Sequence, residues 1–313
     1  MPREAAFVVL VVVLAALPVF GSDYLLEIAT FVLIESIAVI GLGFLTGFAG
    51  RISLAQGALV GVGAYTAALL ATDLGLTPIA GLPAAVVVSA ATAALLGTPA
   101  IRLSGLYFVM ATIGLQQIIW ILMMNWVDLT GGPQGVRGIP AFAVAGVTFA
   151  SPGRFYLVAL AGAIVSYLLA RRVVASRFGL FLRAVSNDEL ASGTAGVAVV
   201  RTKAIALLLS GAWAGAAGFL HAYYLRYIHP SMFTLDFSVV LLTMAMFGGY
   251  QSLEGMLVAS AVLGSASEYL RPFGEYRLVA YGALLTLSMM FFPGGIMTIV
   301  PNRWRLAITR AGR

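Results

Sequence analysis

Apolar stretches of about twenty residues, the length a helix needs to cross a bilayer, recur along nearly the whole of this chain. Ten can be marked, at 5–21, 24–46, 53–72, 77–97, 104–124, 154–171, 204–225, 236–250, 254–270 and 277–299. The first and eighth are short enough to tilt or re-enter. Of the 313 residues, 61% are apolar and only 10% are charged, whereas soluble domains carry about 25% charged residues. A water-soluble fold could not hide that much apolar surface. The chain therefore reads as an all-α polytopic membrane protein, a single transmembrane domain over 1–313. The run 5–20 also resembles the apolar core of a signal peptide. It lacks an A-x-A cleavage pattern and nine more apolar segments follow, so a retained first helix is the better reading.

Charge sets the orientation. The loop 172–203 contains the one long polar interruption, 176–203, which carries Arg177, Arg183, Arg201 and Lys203, with Arg171 and Arg172 just upstream of it. Short basic loops stay cytoplasmic. Ten crossings place both termini on that same side, together with Arg3, Arg51, Arg102 and the tail residues Arg303, Arg305, Arg310 and Arg313. Arg137, Arg154, Arg226, Arg271 and Arg277 fall outside. Within the interruption a short helix is expected, capped by Asn187 and followed by Asp188 and Glu189, a form suited to docking a cytoplasmic partner. The basic residues are not interleaved with aromatics on one face, which argues against nucleic acid.

Glycine makes up 35 of the residues, about 11% against roughly 7% in average usage. Gly57, Gly61 and Gly63, and again Gly211, Gly215 and Gly218, stand at helical spacing. Lipid tails give helices no hydrophobic reason to associate, so small residues that admit close backbone approach supply the contact. The stretch 129–153 contains Gly-Gly-Pro and Ser-Pro-Gly turns and reads as an external compact loop or small hairpin. A second external loop, 226–236, could join it as a docking surface. A faint similarity between 50–65 and 249–263, each a glycine followed by Ser-Leu and a small-residue-rich helix, suggests a parallel repeat.

Several functions are excluded by what the sequence lacks. Cysteine is absent, and with it disulfides and thiolate chemistry. Two histidines, His221 and His229, are too few for a His-rich metal centre. There is no G-x-x-x-x-G-K-[ST], H-E-x-x-H or G-x-S-x-G motif, so no catalytic residue and no metal ligand is expected. Glu35, near the middle of 24–46, is the clearest intramembrane charge. It is either a counter-charge for a substrate or a hydrogen-bonded carboxyl at a helix interface, and the second reading is favoured. The neutral polar residues Ser53, Gln56, Tyr65, Tyr107, Thr112 and Gln116 are better candidates for a solute path. Interhelical hydrogen bonds explain them nearly as well.

The residues also resemble a known family. GLGFLTGFAGRISLAQGALVGVGAYTAALL (41–70), LSGLYFVMATIGLQQII followed by NWVDLTGGPQGV (within 103–136), and the long run 177–233 look like the branched-chain amino acid ABC permeases of bacteria. L-T-G-G-P-x-G and the Ser53-Leu54 start of a glycine-rich helix point to the M-type subunit. The resemblance implies an importer of the bacterial inner membrane. Its pathway would be shared with a second, H-type permease subunit as a heterodimer. Two cytoplasmic ATPases would bind ATP and Mg, and a periplasmic binding protein would deliver substrate. The loop matching 187–197 would be the segment seated on an ATPase, carried by Asn187, Asp188, Glu189, Leu190, Ala191 and Gly196. Departures from the pattern are Ser192-Gly193-Thr194-Ala195 in that segment, Arg51 in place of a common Gln, Gly43 in place of a common Asn, Glu35, and no acid near Val239 and Val240. They leave the architecture intact and the substrate open. The competing reading is an ion-gradient-driven secondary transporter working through Glu35 or His221.

Overall fold

A computed structural model describes residues 14–18, 21–144, 146–249 and 251–269, with isolated positions between 276 and 290. Eight long helices run alternately up and down: α1 (Asp23–Gly43), α2 (Gln56–Thr72), α3 (Pro78–Gly97), α4 (Gly105–Asn125), α5 (Pro152–Ala175), α8 (Val199–Leu225), α9 (Leu235–Gly248) and α10 (Leu253–Tyr269). Two short helices, α6 (Arg177–Asn187) and α7 (Glu189–Thr194), lie between α5 and α8. Each expected segment from 24–46 to 254–270 corresponds to one long helix. Segment 5–21 is described only in part, and 277–299 and the arginine-rich tail lie outside the described residues apart from the isolated positions. Among the described residues, six helical stretches are long and apolar enough to span a membrane, α9 only together with the turn Pro230–Met232 that precedes it, while α2 and the described part of α10 are shorter. The protein is thus an all-α, multi-pass membrane protein.

Helix ends differ from expectation where charges find partners. α5 continues to Ala175 and carries Arg171 and Arg172 exposed on its last turns, because long basic side chains can reach the aqueous boundary from inside a helix. α8 begins at Val199 rather than 204, since Lys203 in its second turn is neutralised by an acid described below.

α8 occupies the centre, against α1, α2 and α3; α1 also packs on α5 and α10. The two glycine series meet at Gly63, Gly215 and Gly218, whereas Gly57 faces α9 and Gly211 faces α3. A Cβ on Gly63 would lie 2.6 Å from the Gly215 Cα, and one on Gly218 would overlap the Val60 carbonyl oxygen. Backbone meets backbone there, as expected when close approach must substitute for hydrophobic drive.

One end of the bundle collects Arg51, Arg102, α6, α7 and the start of α8; it is called the basic end. At the far end, β1 (Val136–Arg137) pairs antiparallel with β4 (Tyr227–Ile228), and β2 (Ala143–Val144) with β3 (Val147–Thr148). The 129–153 segment therefore does contain a hairpin. It is also stitched to the 226–236 loop, with Arg137 stacked 5.3 Å over the Tyr227 ring. The repeat-like pair 50–65 and 249–263 shares a geometry as well. Gly50 (φ 67°) and Gly249 (φ 104°) both have positive φ, six and four residues ahead of the helices α2 and α10.

Candidate functional site

The chain between α1 and α2 is the irregular part of the bundle. α1 passes into a π-helical turn, Phe44–Phe48, and residues 49–55 then run non-helically, largely buried, before α2 begins. With 17 residues, α2 rises about 25 Å, short of the ~30 Å apolar thickness, so its first turn starts inside the bundle. Non-helical backbone at such depth is tolerated only where protein satisfies its polar groups. Side chains from α4 and α9 do so. Thr112 Oγ accepts from the Leu54 amide (3.1 Å), Ser238 Oγ from that of Gly57 (2.9 Å) and Gln116 Oε1 from that of Ala58 (2.7 Å). Gln116 Nε2 donates to the Phe233 carbonyl (2.7 Å), and Ser238 Oγ donates to Gln116 Oε1 (3.0 Å). Gln56 Nε2 donates to the Ala38 carbonyl (2.9 Å), while its Oε1 accepts from Ser210 Oγ (2.8 Å). Within the loop Ser53 Oγ accepts from the Ala55 amide at 3.3 Å.

The structure thus gathers Ser53, Gln56, Thr112 and Gln116 at the broken start of α2 and occupies their polar atoms with capping and interhelical hydrogen bonds. Tyr65 and Tyr107 stand apart from this cluster. Tyr65 is buried edge-on to Phe233, with no partner for its hydroxyl among the described residues, and Tyr107 is 70% exposed on α4. Glu35 lies partly buried where α1 meets α10, its carboxylate against Gly264. His221 is buried among the Phe31, Phe233 and Phe237 rings. Replacing Gln116 by leucine strands the Ala58 amide and the Phe233 carbonyl, each costing about 1–3 kcal/mol when buried and unpaired. The expected result is a clearly lower thermal midpoint for the detergent-purified protein.

Below this break sits the ion cluster of the basic end. Glu189, the first residue of α7, bridges two cations. Arg51 Nη2 donates to its Oε1 at 2.8 Å and Lys203 Nζ to its Oε2 at 2.5 Å. The cations are the buried members: their side chains are 9% and 3% exposed, against 45% for Glu189. Burying an unpaired charge is costly, so the carboxylate holds two elements in place at once. Arg51 has further anchors, donating from Nη1 to the Leu103 carbonyl ahead of α4 (2.6 Å) and lying 5.8 Å over the Phe108 ring. One acid therefore ties α7 to the α1–α2 break, to α8 and, through Arg51, to the start of α4.

α6 supports the same arrangement. It buries Gly179, Leu182 and Val185, one stripe of a helix, and sets Arg183 5.8 Å over the Phe48 ring of the π-helical turn. The expected single helix capped by Asn187 is in fact two helices. Asn187 is the last residue of α6, and Asp188 is the N-cap of α7, its extended backbone (φ −156°, ψ 114°) aiming Oδ1 at the Ala191 amide 2.9 Å away. An N-cap needs such non-helical backbone, and Asn187 is still helical. Apart from Ser192, every residue of α7 is exposed, and Leu190, at 85%, projects an apolar side chain into the open. Gly196 closes the segment with φ 87°. A short helix fixed at its root and bare on its outer face can receive a push from outside and deliver it to three places in the bundle.

Sequence reasoning singled out Glu189 and Arg51 but did not join them, and it missed Lys203, Ser210 and Ser238 as partners. That Lys203 is the only lysine of the chain was a usable signal.

The comparisons with known proteins agree with this geometry. The family described as branched-chain amino acid transport system / permease component matches residues 24–294. The chain is 32% identical to the Salmonella typhimurium high-affinity branched-chain amino acid transport system permease protein LivM, over 95% of this chain and 75% of that protein. The Escherichia coli K12 LivM protein is 31% identical, over 97% and 77% of the two chains. The Salmonella typhimurium LivH permease protein is similar at a lower level, 25% over 84% and 90%. No solved structure gives a significant match. An alternating helical bundle, a basic end with an exposed anchored helix, and a family match over most of the length lead to one assignment: the chain belongs to the permease components of branched-chain amino acid transport systems, as a membrane permease subunit of the LivM type.

Proposed function

We infer that the protein is the translocation subunit of an ATP-driven importer for branched-chain or related amino acids in the bacterial inner membrane. Ten crossings, with both termini and the basic end in the cytoplasm, fit the distribution of arginine. The chain itself is not an enzyme in this reading. α7 docks on one of two cytoplasmic ATPases that bind ATP and Mg, with Asn187, Asp188, Glu189, Leu190, Ala191 and Gly196 forming the contact segment. An H-type permease completes the pathway, and a periplasmic binding protein delivers substrate to the far end. Closure of the ATPases displaces α7, and Glu189 passes the displacement to Arg51 and Lys203.

The observation that carries this reading is the double bridge from Glu189, which makes an otherwise exposed helix mechanically continuous with α2, α4 and α8. The candidate path residues Ser53, Gln56, Tyr65, Tyr107, Thr112, Gln116 and Glu35 would then change surroundings as α2 and α4 reorient. Reconstitution tests it. The chain with its H-type partner, ATPases and binding protein should accumulate labelled leucine only with hydrolysable ATP. The pure chain in vesicles bearing a proton or sodium gradient should accumulate none. Uptake by the pure chain under such a gradient would replace the importer with a secondary transporter.

A further inference from the structure

At the far end, a cleft of about 330 Å³ opens between the first turns of α1, the start of α5 and the last turn of α8. That is the lower end of the ~300–1,000 Å³ typical of small-molecule sites. Its walls are the rings of Phe31, Phe155 and Tyr224, braced against one another: Phe31 meets Tyr224 edge-on at 5.0 Å and Phe155 lies 5.2 Å from it. Two opposite charges line the same opening, Glu27 and Arg226. Both are exposed, and they are not ion-paired with each other. The Arg226 guanidinium donates from Nη2 to the Ala150 carbonyl at 3.3 Å. Its backbone closes α8 in the left-handed conformation (φ 55°, ψ 14°), where glycine is the usual occupant.

We propose that this cleft binds a zwitterion: an ammonium against Glu27 and the surrounding ring faces, an anionic oxygen group against Arg226, and an apolar portion along Phe31, Phe155 and Tyr224. A free aliphatic amino acid has this chemistry, and so does a phosphatidylethanolamine headgroup with its first methylenes. Aromatic residues also gather at membrane boundaries as simple anchors, a role that requires no charge discrimination. The proposal is independent of the coupling role assigned to Glu189.

The full chain, purified in non-ionic detergent and stripped of lipid, should be titrated with L-leucine and, separately, with phosphatidylethanolamine in mixed micelles. 4-Methylpentanoate (no ammonium), 3-methylbutylamine (no carboxylate) and phosphatidylglycerol (no ammonium) serve as comparators on the unmodified protein. At least one zwitterion should saturate a site that holds its comparators at least tenfold more weakly, and Glu27→Gln and Arg226→Gln should each weaken it at least tenfold. Saturation by leucine identifies a free amino acid as the occupant, and saturation by the phospholipid identifies a headgroup. Comparators binding as tightly as the zwitterions, or no saturable binding of either, overturns the proposal. Because the comparators are read on the natural sequence, a variant that fails to fold does not blunt the test.

Discussion

Glu189→Arg is expected to reduce ATP-driven uptake more than a hundredfold while the subunit still inserts in the membrane. The substitution sets a third cation against Arg51 and Lys203, whose side chains are nearly buried. Breaking a buried ion pair costs about 3–5 kcal/mol. The lower part of that range applies, because Glu189 is itself almost half exposed and water reaches it. Such a cost suffices to detach one short helix without unfolding the bundle. Uptake and substrate-stimulated ATP hydrolysis in reconstituted vesicles should therefore fall together, with normal amounts of subunit in the membrane. The double substitution Glu189→Gln with Lys203→Met separates stability from transmission. It removes the uncompensated buried ammonium, so the thermal midpoint should recover, yet the tie between α7 and α8 stays lost and uptake should remain low. Wild-type uptake in the Glu189→Arg protein would remove the coupling assignment.

The largest effect on stability is expected from Gly218→Val. A Cβ at this position overlaps the Val60 carbonyl and lies 2.6 Å from the Ala64 nitrogen. These are backbone atoms of α2, so no side-chain rotation relieves the clash and the two helices must part. Overpacking ordinarily costs about 1–3 kcal/mol, occasionally more. Here α8 is held just as closely on its α3 side, where a Cβ on Gly211 would stand 2.8 Å from the Ser89 carbonyl. Separation from α2 therefore disturbs a second interface, and the thermal midpoint and the yield of folded protein should both drop. Gly114→Ala is the matching control, since nothing lies within 4 Å of the added atom and the midpoint should be unchanged. A Gly218→Val protein that melts with the wild type would mean that α2 and α8 are not packed through this contact.

The helices were legible because the bilayer imposes a length, and apolar runs such as 24–46 and 104–124 report it directly. Close backbone approach was legible for a related reason: Gly211, Gly215 and Gly218 repeat at helical spacing, and spacing is a local property, although which helix each one meets is not. The ion cluster was not legible. Arg51 and Glu189 are 138 positions apart, and each alone looks like an ordinary charge near a helix end. Gln116 likewise reads as a polar residue on a solute path, because its hydrogen-bond partners lie 58 positions before it and 117 positions after it. The cap of α7 was misplaced by one residue because Asn and Asp are comparable N-caps. The choice between Asn187 and Asp188 is made by where α6 stops, which depends on the seat of Leu182 and Val185 against the bundle.

The two-residue ladder between β1 and β4 carries a further consequence. It links the loop leaving α4 to the loop leaving α8 at one extremity, and Glu189 links the roots of the same two helices at the other. A frame fastened at both extremities transmits load in either direction. If a cargo carrier lands on the ladder and a motor grips α7, as proposed, thermodynamic reciprocity requires that the carrier alter the motor's grip by the same factor that the motor's grip alters the carrier's landing. Arrival of freight would thus be felt by the engine before anything has crossed.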